Sequence, residues 1–106
     1  MTSQQVWLLD KKFREEKIEE TPYCQNVTKN HSGRLTVAHI EKRRHLTVRW
    51  NKRNAVVLCL GCHRHFEDNA KEFRGWLLDN GYTKLELKEL RRLASNNLRD
   101  AVYQDP

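Results

Sequence analysis

The stretch from Leu35 to Phe66, LTVAHIEKRRHLTVRWNKRNAVVLCLGCHRHF, constrains this chain more than any other part of it. It holds four of the five histidines and two of the three cysteines. It also holds a block of lysine and arginine, and an apolar run, AVVLC, that ends in CxxCH. Metal-liganding and cationic side chains gathered this densely point to a site, with the remaining residues as its frame. The 106 residues leave room for one domain, 1–106, with a modest core. A modest core gives a stabilising metal more to contribute than it would in a large enzyme.

Cys59 and Cys62 are spaced to chelate a metal or, less often, to form a redox pair. The third cysteine, Cys24, makes the number odd, so the cysteines cannot all be paired in disulfides. Structural zinc takes four Cys or His ligands in a closed tetrahedron. Three thiols therefore need a partner, and His31, seven residues past Cys24, is the nearest candidate. The alternatives are a weaker three-thiolate site, or no zinc and a buried Cys24.

Lysine and arginine number 20 against 14 acidic residues, which favours a polyanionic partner, nucleic acid first. The charge is uneven: Lys42, Arg43, Arg44, Arg49, Lys52 and Arg53 lie beside the His/Cys cluster. Arg44 and Arg49 are the better phosphate clamps, because guanidinium binds phosphate in a bidentate manner. No stretch approaches the ~20 apolar residues of a membrane span. The start, MTSQQVWLLDKKF, lacks the basic-then-apolar pattern of a signal peptide. The expected setting is reducing and cytoplasmic.

Residues 4–20 should form a helix capped by Thr2 or Ser3, with Val6, Leu9, Phe13 and Ile18 on its packing face. Pro22 ends it. Residues 35–40 alternate as a strand, with Leu35, Val37 and His39 on one face and Thr36, Ala38 and Ile40 on the other. The basic segment 41–53 reads as a loop with a short extended piece over 47–50, and Trp50 as core filler under a hairpin. The β-branched run 55–58 is a second strand, and 59–62 a tight knuckle in which Gly61 supplies turn freedom. A helix should start near His63, break near Asn69 and run on to Asp79, ahead of the stop signal Asn80-Gly81. An amphipathic helix over 85–102 closes the chain. The fold class is small α+β.

Read in order, the residues are His39 on a strand, Arg49-Trp50-Asn51, Asn54, a strand, then Cys59-Leu60-Gly61-Cys62-His63 opening a helix. This string resembles the HNH nuclease superfamily, most closely its small phage-type members, over roughly residues 21–80. The resemblance implies a ββα-metal (His-Me finger) core flanked by an N-terminal helix and C-terminal helices. It implies a metal-dependent endonuclease of phage or prophage origin that nicks DNA by hydrolysing phosphodiester bonds. His39 would be the general base, Asn54 would pin the loop that orients it, and His63 would ligate a catalytic Mg²⁺, Mn²⁺, Ni²⁺ or Zn²⁺. The basic residues 42–53 would contact DNA.

Two positions depart from the family pattern. Ala38 stands where most members carry a metal-binding Asp or His. Glu67, one helical turn past His63, or His45 could replace that ligand, or water and the DNA phosphate could hold the ion. Val27 stands where zinc-containing relatives have a fourth cysteine. These departures motivate an alternative, a catalytically weakened, zinc-stabilised DNA-binding or adaptor module in phage recombination or DNA packaging. A third expectation is a docking protein that engages a packaging motor or recombination complex through its Leu-rich last helix. His65 reads as a surface residue.

Overall fold

The structure, a computed structural model, describes residues 1–27 and 31–95. Helix α1, Ser3–Glu20, opens with a capping box in which Thr2 Oγ1 accepts from Gln5 N and Gln5 Oε1 accepts from Thr2 N. These reciprocal bonds satisfy two amides that a helix start leaves unpaired. Its buried residues are Val6 and Phe13, two turns apart. Leu9, expected on the same face, sits at its edge and is 37% exposed.

Strands β1 (Leu35–His39) and β2 (Ala55–Cys59) form an antiparallel hairpin with Leu35 opposite Cys59 and His39 opposite Ala55. All five β2 residues are buried, because both faces of the strand are covered. Val56 and Leu58 face the main core with Ala38, while α1 packs against the hairpin and Phe13 stacks on His39. A strand covered on both sides reads as an unbroken apolar run, which is what AVVLC is. Gln25 extends the pairing, since its N–H donates to Val57 O and its Oε1 accepts from Val57 N.

Between the strands, the extended piece expected over 47–50 is instead a short helix, α2 (Leu46–Arg49), followed by a 3₁₀ turn, Lys52–Asn54. Tertiary packing overrides β-propensity here. Val48 is fully buried, Leu46 is buried, and Thr47 Oγ1 donates to Leu93 O at 2.6 Å. Trp50 is half-buried, and its Nε1 donates to Asp10 Oδ1.

After β2 come α3 (Leu60–Asp68), α4 (Ala70–Asp79) and α5 (Lys84–Ala94). Asn69 breaks α3 from α4, and Gly81, at φ +97°, supplies the turn before α5. The part of the expected last helix beyond residue 95 lies outside the described residues. Gly61 is not a turn residue: it lies within α3 without a positive φ, and a Cβ there would come within 2.2 Å of Ser32 Oγ. The glycine lets the loop carrying His31 close onto the helix start. Phe66, Phe73 and Trp76 form an aromatic cluster between α3 and α4. Among the described residues no helix is long and apolar enough to cross a membrane. The architecture is α+β, a two-stranded sheet with helices on both faces.

Candidate functional site

Two sites meet at the start of α3. The first gathers Cys24, His31, Cys59 and Cys62, whose ligand atoms all lie within 4.8 Å of one another. Local backbone geometry builds it. Cys59 is the N-cap of α3 and its Sγ accepts from Cys62 N, which sets both thiols on one turn. Backbone bonds from Gly61 N to Ser32 O and from Leu60 N to Arg34 O dock the His31 loop beside them. Cys24 approaches from the segment after α1, and Asn26 Nδ2 donates to Cys62 Sγ at 3.6 Å.

These distances fit a metal. A tetrahedron with ordinary zinc–ligand bond lengths has S···N edges of roughly 3.6 Å. His31 Nδ1 lies 3.7 Å from Cys59 Sγ and 3.8 Å from Cys62 Sγ. The thiols also titrate unequally. Burial raises the Cys59 thiol, but amide donors from Cys62 and Ser32, together with His31, outweigh it and hold the thiol down to about 6. Burial and the neighbouring thiols of Cys59 and Cys24 push Cys62 up to about 12. Once the Cys59 thiolate forms, Cys62 resists ionising unless a cation joins them, and the four clustered ligands can hold a metal ion such as zinc. Val27 is 73% exposed, while His31 lies within the cluster.

The second site is a groove of about 600 Å³ between α1, β1 and the start of α3. His39 and His63 both line it. His39 Nε2 lies 3.0 Å from the carbonyl oxygen of Arg49. A carbonyl only accepts, so Nε2 carries the proton and Nδ1 keeps a lone pair. Burial lowers the His39 pKa, outweighing the Arg49 carbonyl bond that raises it, so the ring stands neutral at pH 7 and can take a proton.

Asn54 holds the loop between the strands. It is fully buried, its Oδ1 accepts from Glu41 N, and its Nδ2 donates to Glu41 O and Val48 O. It thereby ties the start of the loop to α2, the element that presents the Arg49 carbonyl to His39.

His63 is oriented by Thr36. The Thr36 hydroxyl donates to Leu58 O, so it accepts from His63 Nδ1 at 2.8 Å. His63 Nε2 then faces Glu67 Oε1 at 3.1 Å. Two cis ligands of an octahedral ion stand about 3.0 Å apart, so this pair can share a cation. The described residues gather only one group of three or more potential ligands, the Cys/His cluster, so Glu67 and His63 stand as a pair. Ala38 is 3% exposed and faces the core, so a ligand from that position would require a different strand orientation. His45 lies against Arg44, and His65 is exposed and pairs with Glu72.

The basic segment differs most from expectation. Asp10 of α1 receives two hydrogen bonds from Arg49 and one from Arg43. Burial raises the Asp10 carboxyl, but Arg49, Trp50 and Arg43 together hold it below its ordinary value. Arg53 makes a bidentate pair with Glu86 and stacks on Tyr82, and Lys52 pairs with Glu16 and Glu20. Four of the six expected phosphate contacts are thus bound to carboxylates of the same chain, and only Lys42 and Arg44 have no ion pair among the described residues. Arg14 and Arg34 were not singled out by sequence reasoning, yet both are exposed at the groove and have no carboxylate partner among the described residues. Asp10 was also missed, and Phe13 and Thr36 stood out only as a packing residue and a strand residue, without their contacts to His39 and His63. Their partners lie far along the chain, and only the tertiary fold brings them together.

Comparison with protein-family models, curated proteins and solved structures returned no match for this chain.

Proposed function

We propose that this chain is a metal-dependent endonuclease of the HNH type, built on a ββα-metal core, that nicks DNA by hydrolysing phosphodiester bonds. The observation that carries the reading is His39, a half-buried neutral imidazole whose tautomer is set by Arg49 O, lining one groove with His63. In this role Nδ1 of His39 takes the proton from an attacking water as the water's oxygen bonds to phosphorus. Asn54 keeps the loop, and with it the Arg49 carbonyl, in register. His63 and Glu67 would hold a divalent ion, Mg²⁺, Mn²⁺, Ni²⁺ or Zn²⁺, which when bound neutralises charge on the scissile phosphate and the departing oxygen. Arg14 and Arg34 would meet the flanking phosphates, with Lys42 and Arg44 further along the loop. Cys24, His31, Cys59 and Cys62 would bind structural zinc that fixes the strand-to-helix corner carrying His63.

Since burial lowers the His39 pKa, the acid limb of activity should lie below the usual histidine value. As pH falls through that limb the base becomes protonated and the rate drops.

Plasmid nicking tests the proposal. Zinc-loaded protein should nick supercoiled plasmid only with an added divalent ion, and Glu67→Ala should raise the ion concentration needed by about tenfold or more. DNA shifted in a gel but never cut, under every ion, would sink the nuclease reading. It would favour the second reading, a zinc-stabilised DNA-binding or adaptor module. The absence of a third ligand beside His63 and Glu67 among the described residues motivates that alternative.

A further inference from the structure

A second groove, of about 580 Å³, lies between α4 and α5 and shares no lining residue with the first. Its floor is apolar, formed by Phe73, Leu77 and Leu87. Arg74, Lys84, Lys88 and Arg91 rim it, all exposed and none with a carboxylate partner among the described residues. Glu41 is the one acidic lining residue.

Two features of this placement disfavour the helix that carries most of these cations, although Arg91, in its last turn, suits the helix dipole. Lys84, Lys88 and Arg91 follow at steps of four and three on α5, so like charges stack on one face. Lys84 is also in the first turn of α5, where the helix dipole disfavours a cation. By contrast, Arg43, Arg49, Lys52 and Arg53 of the basic loop are each paired with carboxylates of the same chain. A repulsive stripe beside an apolar floor is matched by a ligand that carries both apolar and acidic groups.

We propose that the α4–α5 groove is a docking site for an acidic, amphipathic segment of a partner protein. Apolar side chains of the segment cover Phe73, Leu77 and Leu87, and its carboxylates meet Arg74, Lys84, Lys88 and Arg91. Bare nucleic-acid backbone fits less well, because phosphates would leave the apolar floor unmatched. Ile40, just past the end of β1, lines this groove, whereas His39 lines the first. A partner bound here leaves the first groove open. The proposal does not rest on the nuclease reading.

The probe is a fluorescent amphipathic peptide of about 16 residues, leucine on one helical face and glutamate on the other, titrated with the full-length, zinc-loaded protein. Saturable binding is expected, weakened by salt. It should weaken about tenfold in Lys84→Glu/Lys88→Glu and when the peptide glutamates become glutamine. Lys11→Glu/Lys12→Glu, on α1, should bind like wild type. Circular dichroism checks that each variant is folded. Either of two results overturns the proposal: no binding by wild type, or equal binding by Lys84→Glu/Lys88→Glu. If that variant instead loses affinity for a DNA duplex while the peptide never binds, the rim is a nucleic-acid surface and the proposal is also wrong.

Discussion

Stripping the structural zinc proposed for the Cys24, His31, Cys59 and Cys62 cluster should unfold the protein at room temperature. The four ligands come from three separate segments: the stretch after α1, the loop before β1, and the turn from β2 into α3. No disulfide joins them, as all three cysteines are free. Structural zinc contributes roughly 10–16 kcal/mol of apparent binding free energy in small zinc domains. A whole domain is stable by only about 5–15 kcal/mol. Removing a term of that size leaves little folded population. A chelator strong enough to strip structural zinc should abolish the cooperative thermal transition seen by circular dichroism, and returning zinc should restore it. Cys59→Ser and Cys62→Ser should behave like the stripped protein. His31→Ala should be milder, because His31 is exposed and water can take the vacant position. Acid should weaken zinc loading, since the thiols must lose their protons to bind. Unchanged melting after verified metal removal would show that the cluster is only packed cysteine.

The second large effect is expected at Asn54. Asn54→Ala removes the bonds to Glu41 N and Glu41 O and one of those to Val48 O, which keeps the amides of Trp50 and Asn51, so two backbone groups lose their partner beside a fully buried side chain. Each unsatisfied buried group costs about 1–3 kcal/mol, so the loss should be roughly 2–6 kcal/mol. At 4–8 °C per kcal/mol for a domain of this size, the melting temperature should fall by about 10 °C or more. Asn54→Asp should fare no better, because it keeps the shape but turns the donor that serves two carbonyls into a charged acceptor. Urea denaturation of the three proteins measures this. At temperatures where the variants stay folded, nicking should still fall, because the loop that carries Arg49 O is released from Glu41. An Asn54→Ala protein as stable as wild type would mean that the loop is held by something else.

The parts of this molecule encoded by local pattern were legible in the sequence. The β-branched run 55–58 marked β2 because both faces of that strand are buried. Counting ligands pointed to His31, which the structure brings to the cluster. The one-turn spacing of His63 and Glu67 placed them together on α3, while the loop-tying role of Asn54 came from the family resemblance, since its place before a strand fits a plain turn residue equally well. What the sequence concealed depends on residues far apart in the chain. Thr47 and Val48 have extended propensity, yet α5 packs on them and the segment is helical. Gly61 resembled a turn residue, but its reason is the close approach of Ser32. The basic loop resembled an open phosphate-binding surface, and nothing in its own composition shows that Asp10, Glu20 and Glu86 reach it from the flanking helices. Arg14 and Arg34, far apart in sequence, meet at the groove only in the fold.

The most direct measurement is the rate of plasmid nicking by wild type and His39→Ala, both zinc-loaded and both shown to be folded, with the same added divalent ion. Loss of a general base costs about 10²–10⁴ in rate, so the variant should fall by that factor while its thermal transition stays close to that of wild type. Equal nicking by the two proteins would contradict the assignment of His39, and with it the claim that this groove is where phosphodiester bonds are cut.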